Sequence, residues 1–590
     1  MKIVCLVKQV PRADAIEFDQ ETKSLRREGV PLLLNPFDAA AVARAASWKA
    51  ANDGELIALT MGPPQAEEAL RTCLALGADR CIHLSDRVFA LADTLGTSRT
   101  LATAIEKGGG ADLVVCGRKT TDSETWQVPP EVAAFLGWPH VSSVVDCELT
   151  DGTIRATRES DDGYETYELE TPAVISLAAA QEETRSVGGR IDVWTAADLV
   201  DDLQEHDKRF GQTGSPTRVL AVRDVTPDRG GELFERVDEA VERVRALLPE
   251  RRPDPPDWQK PERLGERPSR RRYDCWTLVE LDAGRPTRHS LELLGKGREL
   301  SGKLGGDNVA LVLGSGVKTA AREAARHGAD RVVVAEHELL SDYHPEVWSH
   351  ALRSLVERHR PHVLLIPSTA NGRDVGPRVA GELRLGMTGD CVGLGIDRAG
   401  RLIQQKPAYG GNIVSVIMGA TTPQLATVRA RMFEPLEPRD AEPRIEPVEL
   451  DGLEPSRVRL VDRRPLGARD LDSGDVVLCL GPELGRDDVA EALAMGQGAG
   501  IPVGGTHEVC ERGDLPHNRQ IGLYGRPVAP HLLVAVGLTG TFEQLTGFVK
   551  AGVVAAVNAA RDAPILSSAD VGLVGDWHDY VPRLIDISAS

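Results

Sequence analysis

Arg118 and Lys119, with the hydroxyls of Thr120, Thr121 and Thr125, follow the apolar run VVCG, and Pro129 and Pro130 then open the helical stretch EVAAFLG. Cations and hydroxyls placed just past a strand end, beside the free N–H groups of a helix N-terminus, can cradle a phosphate. Asp122 and Glu124 would oppose that phosphate unless they hold ribose hydroxyls; a solvated polar loop is the other reading. In NPFDAAAVARAA, Asn35 or Asp38 can contact a nucleotide or simply cap a helix. The third group is a series of glycine-bearing turns toward the C-terminus: GPELG (481–485), GGTHE (504–508), QIGLYG (520–525), VGLTGTFEQ (536–544), VNAA (557–560) and VGDWH (574–578). Such turns at successive strand ends let backbone approach a pyrophosphate closely while a side-chain carboxylate takes ribose or adenine. No single turn is diagnostic, and together they read as a dinucleotide site.

Composition bounds the remaining chemistry. Nine cysteines form no C-x-x-C pair, most sit among apolar residues as in VVCGR and VVLCLG, and the fourteen histidines are scattered, so redox work would fall to an organic cofactor. Acidic residues outnumber basic ones 89 to 69, for a net charge of -20, which argues against nucleic acid and anionic membrane surfaces as partners. Apolar runs such as HLLVAVGL are far shorter than the roughly 20 residues a membrane span requires. MKIVCLVKQVP lacks the order of a signal peptide, so direct membrane insertion is not expected and a cytoplasmic protein is.

The 590 residues allow three or four domains. A repeat organises them: IALTMGPPQAEEALRTCLALGADRCIHL matches NVALVLGSGVKTAAREAARHGADRVVVA, and the stretch from ADLVVCG is echoed by the one from PHVLLIP. Each copy alternates short Val, Ile and Leu runs with segments of 3.6-residue period, predicting an α/β fold with a largely parallel, Rossmann-like sheet present twice. The expected plan is a first unit over 1–248, a Pro/Arg-rich linker over 249–272, a second unit over 273–435, a connector over 436–469 and a third α/β domain over 470–590. ELFERVDEAVERVRALL should be a helix closing the first unit, and the connector should leave the last domain mobile on a rigid base of the two copies.

The residues resemble an electron transfer flavoprotein whose beta subunit is fused ahead of its alpha subunit. VCLVKQVP, NPFDAAAVARA, TMGPPQAEEALRTCLALGADRCIHLSD and the R-K-x-x-D…Q-V-P-P stretch are similar to the beta subunit. GRDVGPRVAGELRLGMTGDCVGL, KPAYGGNIVSVIM and PQLATVRARMFEP are similar to the alpha subunit's first domain. QIGLYGRPVAP, VGLTGTFEQLTG and AVNAARDAPILSSADVGLVGD are similar to its flavin-binding domain. The resemblance implies FAD in the last domain, with Ile521, Gly522, Leu523, Tyr524 and Gly525 forming the turn over the flavin. Thr506, Thr539 and Gly540 would approach the pyrophosphate, and Asn558 and Asp576 the adenosine end. It implies AMP, or a second FAD, in the first unit, with Asn35, Phe37, Asp38, Asp122 and Gln127 keeping the family pattern beside Arg118, Thr120, Thr121 and Thr125. The implied partners are a dehydrogenase donor and a quinone-linked or other redox acceptor.

The departures from the family are specific. QIGLYG stands for Q-V-G-Q-T-G, placing Leu523 and Tyr524 at a Gln and a Thr; Glu483 stands at an arginine, Thr506-His507 at S-R, and Gln544 at a histidine. A unit charge about 5 Å from a pyrophosphate is worth roughly 3 kcal/mol at an effective dielectric near 20, so Glu483 would matter if it pointed inward; Arg486 or Arg526 would be placed to restore the charge. After TPAVISL, the stretch AAAQEETRSVGGRIDVW is shorter and more acidic than the family's dehydrogenase-recognition loop. The alternative reading is therefore a nucleotide-binding or structural protein on this fold with lost or altered flavin binding. A further variant is an electron-bifurcating member with a second FAD and NADH.

Overall fold

The computed structural model describes residues 1–19, 24–26, 29–179, 189–201, 209–251, 256–265, 273–440, 444–465 and 470–589. Parts of the expected linker and connector, and residues 180–188 of the acidic loop after TPAVISL, lie outside the described residues.

The repeat is one sheet built twice. In the first unit, parallel strands run in the order Ile191–Trp194, Arg80–Leu84, Glu55–Met61, Lys2–Leu6, Leu113–Gly117, Ala173–Leu177 and His140–Thr150. In the second, Ile445–Pro447, Arg331–Glu336, Asn308–Gly314, Cys275–Val279, Val363–Pro367, Gln424–Val428 and Met387–Cys391 take the same places. The central strands LVVCG, AVISL, CWTLV and VLLIP are buried at every residue, as expected of parallel strands covered by helices on both faces. All nine cysteines are buried, which accounts for their apolar flanks. The units meet where helix Val128–Leu136 packs on helix Gly372–Leu383. Beside that contact, Asp374 accepts from His140 Nε2 at 2.8 Å, Ser142 Oγ at 2.5 Å and Tyr343 OH at 2.7 Å.

The third sheet is parallel in the order Glu232–Phe234, Val571–Val574, Val553–Asn558, Leu532–Val536, Val476–Leu480 and Val503–Gly505. Its first strand comes from the first half of the chain. The helix that follows, Val237–Arg251, was expected to close the first unit; instead Ala240, Val241, Val244 and Leu247 pack into the core of the third sheet with Val553, Val571, Tyr580 and Leu584. Its apolar stripe specifies a helix with one buried face and does not specify which sheet covers that face. Thr217–Asp224 likewise leaves the first unit, pairing antiparallel with Ile413–Gly419 of the second.

The exchange runs both ways. Within the expected connector, Ile445–Pro447 edges the second sheet and Arg459–Pro465 pairs antiparallel with Gly163–Glu170 at the edge of the first. The connector is thus partly strand, with prolines at strand ends on sheet edges, where a missing N–H is tolerated. The arm of the first half also grips the last domain. Arg229, in the arm between Thr217–Asp224 and Glu232–Phe234, donates to Asp570 at 2.8 Å and to the carbonyls of Phe548, Val549 and Ala551.

In the third domain GRDDVAEALAMGQGAG forms helix Arg486–Ala499, ending on the left-handed Gly500. GTFEQLTGFVKAG is shorter than expected: a helix of four residues, Phe542–Leu545, followed by the 3-10 turn Thr546–Phe548. Among the described residues no helix is long and apolar enough to cross a membrane.

Candidate functional site

The turn QIGLYG is held from both sides by backbone. Ile521 N donates to Gly505 O at the end of strand Val503–Gly505, Leu523 N to Glu543 O, and Arg526 N to Gln520 O. Gly525 is required because a Cβ there would lie 2.2 Å from Gln520 O. Leu523 is buried, and Tyr524 is directed out of the turn toward the first unit. Its ring meets Phe37 edge-on at 6.3 Å and His507 at 5.7 Å, and its carbonyl accepts from Arg118 Nη2 at 2.9 Å. Arg118 is buried, paired through Nη1 with Glu159 at 2.6 Å, and its guanidinium lies over the rings of Phe37 and Trp126. The two groups of residues singled out in the sequence as separate nucleotide sites therefore meet at Tyr524, Phe37 and Arg118.

Buried polar atoms around this junction lack hydrogen-bond partners among the described residues: Arg118 Nε, Thr506 Oγ1, His507 Nδ1 and Asn518 Oδ1. Buried polar groups are ordinarily satisfied, so donors and acceptors left over around one turn mark a place for a polar ligand. Arg118, Trp126, Asn518 and Arg526 also line an open pocket of about 550 Å³, with Ser142, Ser143, Ser160, Ser176, Glu159, Asp161, Ala370 and Arg373.

At the expected pyrophosphate position, Gly540 N donates to Gln544 Oε1 at 2.9 Å and Thr539 Oγ1 to the same oxygen at 3.1 Å. Gly540 holds φ +89°, and a Cβ there would stand 2.3 Å from Ile565 N. Gln544 thus puts a neutral carbonyl oxygen on both donors. Asn558 is buried and spans Leu538 O and Ala560 N, and Asp576 is exposed, accepting from His578 N. Both hold backbone at the ends of strands Val553–Asn558 and Val571–Val574.

The charge departures resolve individually. Glu483 is exposed, so the loss of an arginine there is not compounded by a buried acid. Arg486 pairs with Asp514, and Arg526 is enclosed by Asp161, Asp470 and Asp472; neither supplies a free cation to the turn. Burial pushes Asp470 up to about 7 against the pull of Arg526. Arg118, from the other half of the chain, does reach the turn, at the Tyr524 carbonyl.

In the first unit the candidate residues form an internal network. Asn35 bridges Lys119 O and Thr121 N; Asp38 accepts from Lys8 N and Gly117 N, and burial pushes it up to about 7. Thr120 donates to Asp122, which pairs with Lys8 at 2.5 Å. Thr125 lies beside Gly389, and Gln127 donates to Thr94 Oγ1 and Met387 O. Glu124 and Trp126, not singled out for this role in the sequence, carry the loop between units. Both have left-handed backbone, at φ 45° and 63°; Glu124 accepts from Gly410 N at 2.9 Å and pairs with Lys119 at 3.4 Å.

Residues 22–199 and 275–452 each match the family model described as the electron transfer flavoprotein domain, and residues 470–549 match the electron transfer flavoprotein FAD-binding domain. The chain belongs to the electron transfer flavoprotein family. It is 32% identical over 319 residues to the electron transfer flavoprotein subunit alpha of Clostridium acetobutylicum, covering 52% of this chain and 95% of that protein. It is 38% identical over 255 residues to subunit beta of Thermoanaerobacterium thermosaccharolyticum, covering 41% of this chain and 98% of that protein. A further relative is the caffeyl-CoA reductase-Etf complex subunit CarD of Acetobacterium woodii, 39% identical over 240 residues, covering 40% of this chain and 92% of that protein. Beta and alpha subunits of the electron transfer flavoprotein are joined here in one polypeptide, in that order, and the last domain is the family's FAD-binding domain. The match ends at residue 549, so it includes the QIGLYG turn, Thr539 and Gly540, and stops short of Asn558 and Asp576.

Proposed function

We propose that the fused chain carries electrons on FAD seated against the QIGLYG turn, from a dehydrogenase to a second redox protein. The observation that carries this reading is the set of unpartnered buried atoms of Arg118, Thr506, His507 and Asn518 around Tyr524. FAD, when bound, supplies the electron-accepting ring; the protein's own part is to hold and orient it. His507 Nδ1 and Arg118 Nε offer groups to polar edges of the ring end, Thr506 Oγ1 offers a donor to the pyrophosphate, and Asn518 Oδ1 offers an acceptor for an N–H. Thr539 and Gly540 offer the phosphate donors that Gln544 now satisfies. Phe37 and the Tyr524 ring line the apolar side and limit water.

FAD absorbance in the purified chain, with one FAD released per chain on denaturation, is the expected result. Colourless protein that cannot be reconstituted with FAD would support the alternative of a protein that has lost flavin binding. Leu523→Gln with Tyr524→Thr should change the flavin spectrum or weaken or strengthen its binding by about tenfold. An unchanged spectrum and affinity would remove both side chains from the site.

AMP or a second FAD in the first unit, around Lys119 and Trp126 beside Asn35, Asp38 and Thr120, is a second proposal, supported by the family pattern and by the Lys119 ammonium over the Trp126 ring. Chromatography of the released nucleotides checks it, and two flavins with NADH oxidation would support bifurcation. Relatives whose names place them with caffeyl-CoA reductase and acryloyl-CoA reductase make an acyl-CoA-linked redox partner the first to test.

A further inference from the structure

A second pocket, which shares Arg373 with the first, lies where the last domain faces the second unit. It is open, about 440 Å³ with the solvent in its mouth, and is lined by Ser368, Arg373 and Arg429 of the second unit and by Thr546, Gly547 and Lys550 of the last domain, among others. The Tyr524 turn, Thr506, His507 and Gly540 take no part in it.

Its charges do not balance. Arg373 and Arg429 share one acid, Asp390, at 2.9 and 3.1 Å, and Ser368 also donates to Asp390. Asp390 is held far below the usual carboxylate range: burial raises it, and the charges of Arg373, Arg429 and Lys406 outweigh that. Lys119 and Lys406 act on the same acid; Glu124 lies 3.7 Å from Arg429, and Asp161, which feels the Arg373 charge, is paired with Arg526. Asp472 lines the pocket but is bound to Arg526 at 2.8 Å. Lys550 makes no ion pair or hydrogen bond among the described residues; burial lowers its pKa, and the Arg429 charge lowers it further. A half-buried lysine placed beside a like charge, in a protein whose net charge is -20, is a costly arrangement unless an anion completes it. We infer that Arg373, Arg429 and Lys550 form a binding site for a phosphate group, either free phosphate or the terminal phosphate of a nucleotide. Because Lys550 belongs to the last domain and both arginines to the second unit, the bound anion fastens the two together.

The test uses the full chain saturated with FAD, titrated with inorganic phosphate at constant ionic strength and followed by calorimetry and thermal unfolding. Saturable binding with a rise in unfolding temperature is expected, and chloride should reproduce neither. Lys550→Met should weaken phosphate binding by about tenfold or more, and Lys550→Arg should retain it. Adenosine monophosphate, titrated in parallel, separates the sources. Tighter Lys550-dependent binding than phosphate assigns the site to a nucleotide; Lys550-dependent binding of phosphate alone assigns it to the free anion. Absence of saturable binding, or phosphate affinity unaltered in Lys550→Met, overturns the proposal. FAD content measured on the same samples keeps that failure distinct from a failure of the electron-carrier reading.

Discussion

Arg118 is the residue on which the two halves of the site depend, because one buried guanidinium serves Glu159, the Tyr524 carbonyl and two aromatic faces at once. Arg118→Ala leaves Glu159 without its partner in a largely buried position, and breaking such a pair costs about 3–5 kcal/mol. Chemical denaturation should show that loss, with FAD released earlier in the transition than in the parent chain. Arg118→Lys should recover part of the stability and little of the flavin affinity, since a lysine cannot reach both acceptors in a fork. Gly525 and Gly540 stand out in the sequence as turn glycines, and each sits where backbone approaches too closely for a side chain. The Arg118–Tyr524 contact was not legible, since nothing local to either residue states that a loop near position 118 faces a turn near position 524. Trp126 was hidden for another reason: neither its left-handed backbone nor its place beneath Arg373 is signalled by its residue type.

At the scale of elements, helix Val128–Leu136 carries a buried acid into the contact between units. Glu131 accepts from Thr94, Ser98 and Gln127, and burial pushes it up to about 8. An unfolded glutamate titrates near ~4.3, so between about pH 4 and about pH 8 the folded chain holds a proton that the unfolded chain has released. Stability from this group therefore declines as pH rises through that window. Glu131→Gln removes the decline, and the gap in denaturation midpoint between variant and parent should widen in the variant's favour from pH 5 to pH 8. A gap of constant size would place the proton elsewhere. The facing helix approaches closely: a Cβ on Gly381 would stand 2.8 Å from the Ala134 Cβ. Gly381→Val should accordingly destabilise by about 1–3 kcal/mol through overpacking, read as a lower unfolding temperature. The elements themselves were legible, because continuous apolar runs and 3.6-residue stripes are local signals. The destinations of Glu232–Phe234, Val237–Arg251 and Arg459–Pro465 were not, since periodicity identifies a buried face and is silent about its partner.

At the scale of the whole molecule, the halves are interlaced: the first lends a strand and a helix to the last sheet, and the second lends a strand to the first sheet. A protease site placed at residues 266–270 and cut after folding should leave two fragments that travel together in gel filtration. Separation of the fragments would show that the exchanged elements contribute little. Arg229→Ala, which strips the buried Asp570 of its nearest cation, should cost about 3–5 kcal/mol and loosen the cut complex more than the intact chain. The same exchange sets an order of events during synthesis. Strand Glu232–Phe234 leaves the ribosome long before Val571–Val574, the strand it pairs with, has been translated. At about 5–20 residues per second that wait is on the order of tens of seconds. Through it, the apolar stripe of Val237–Arg251 has no sheet of its own to lie on, so the nascent chain carries an uncovered apolar face until the last domain arrives.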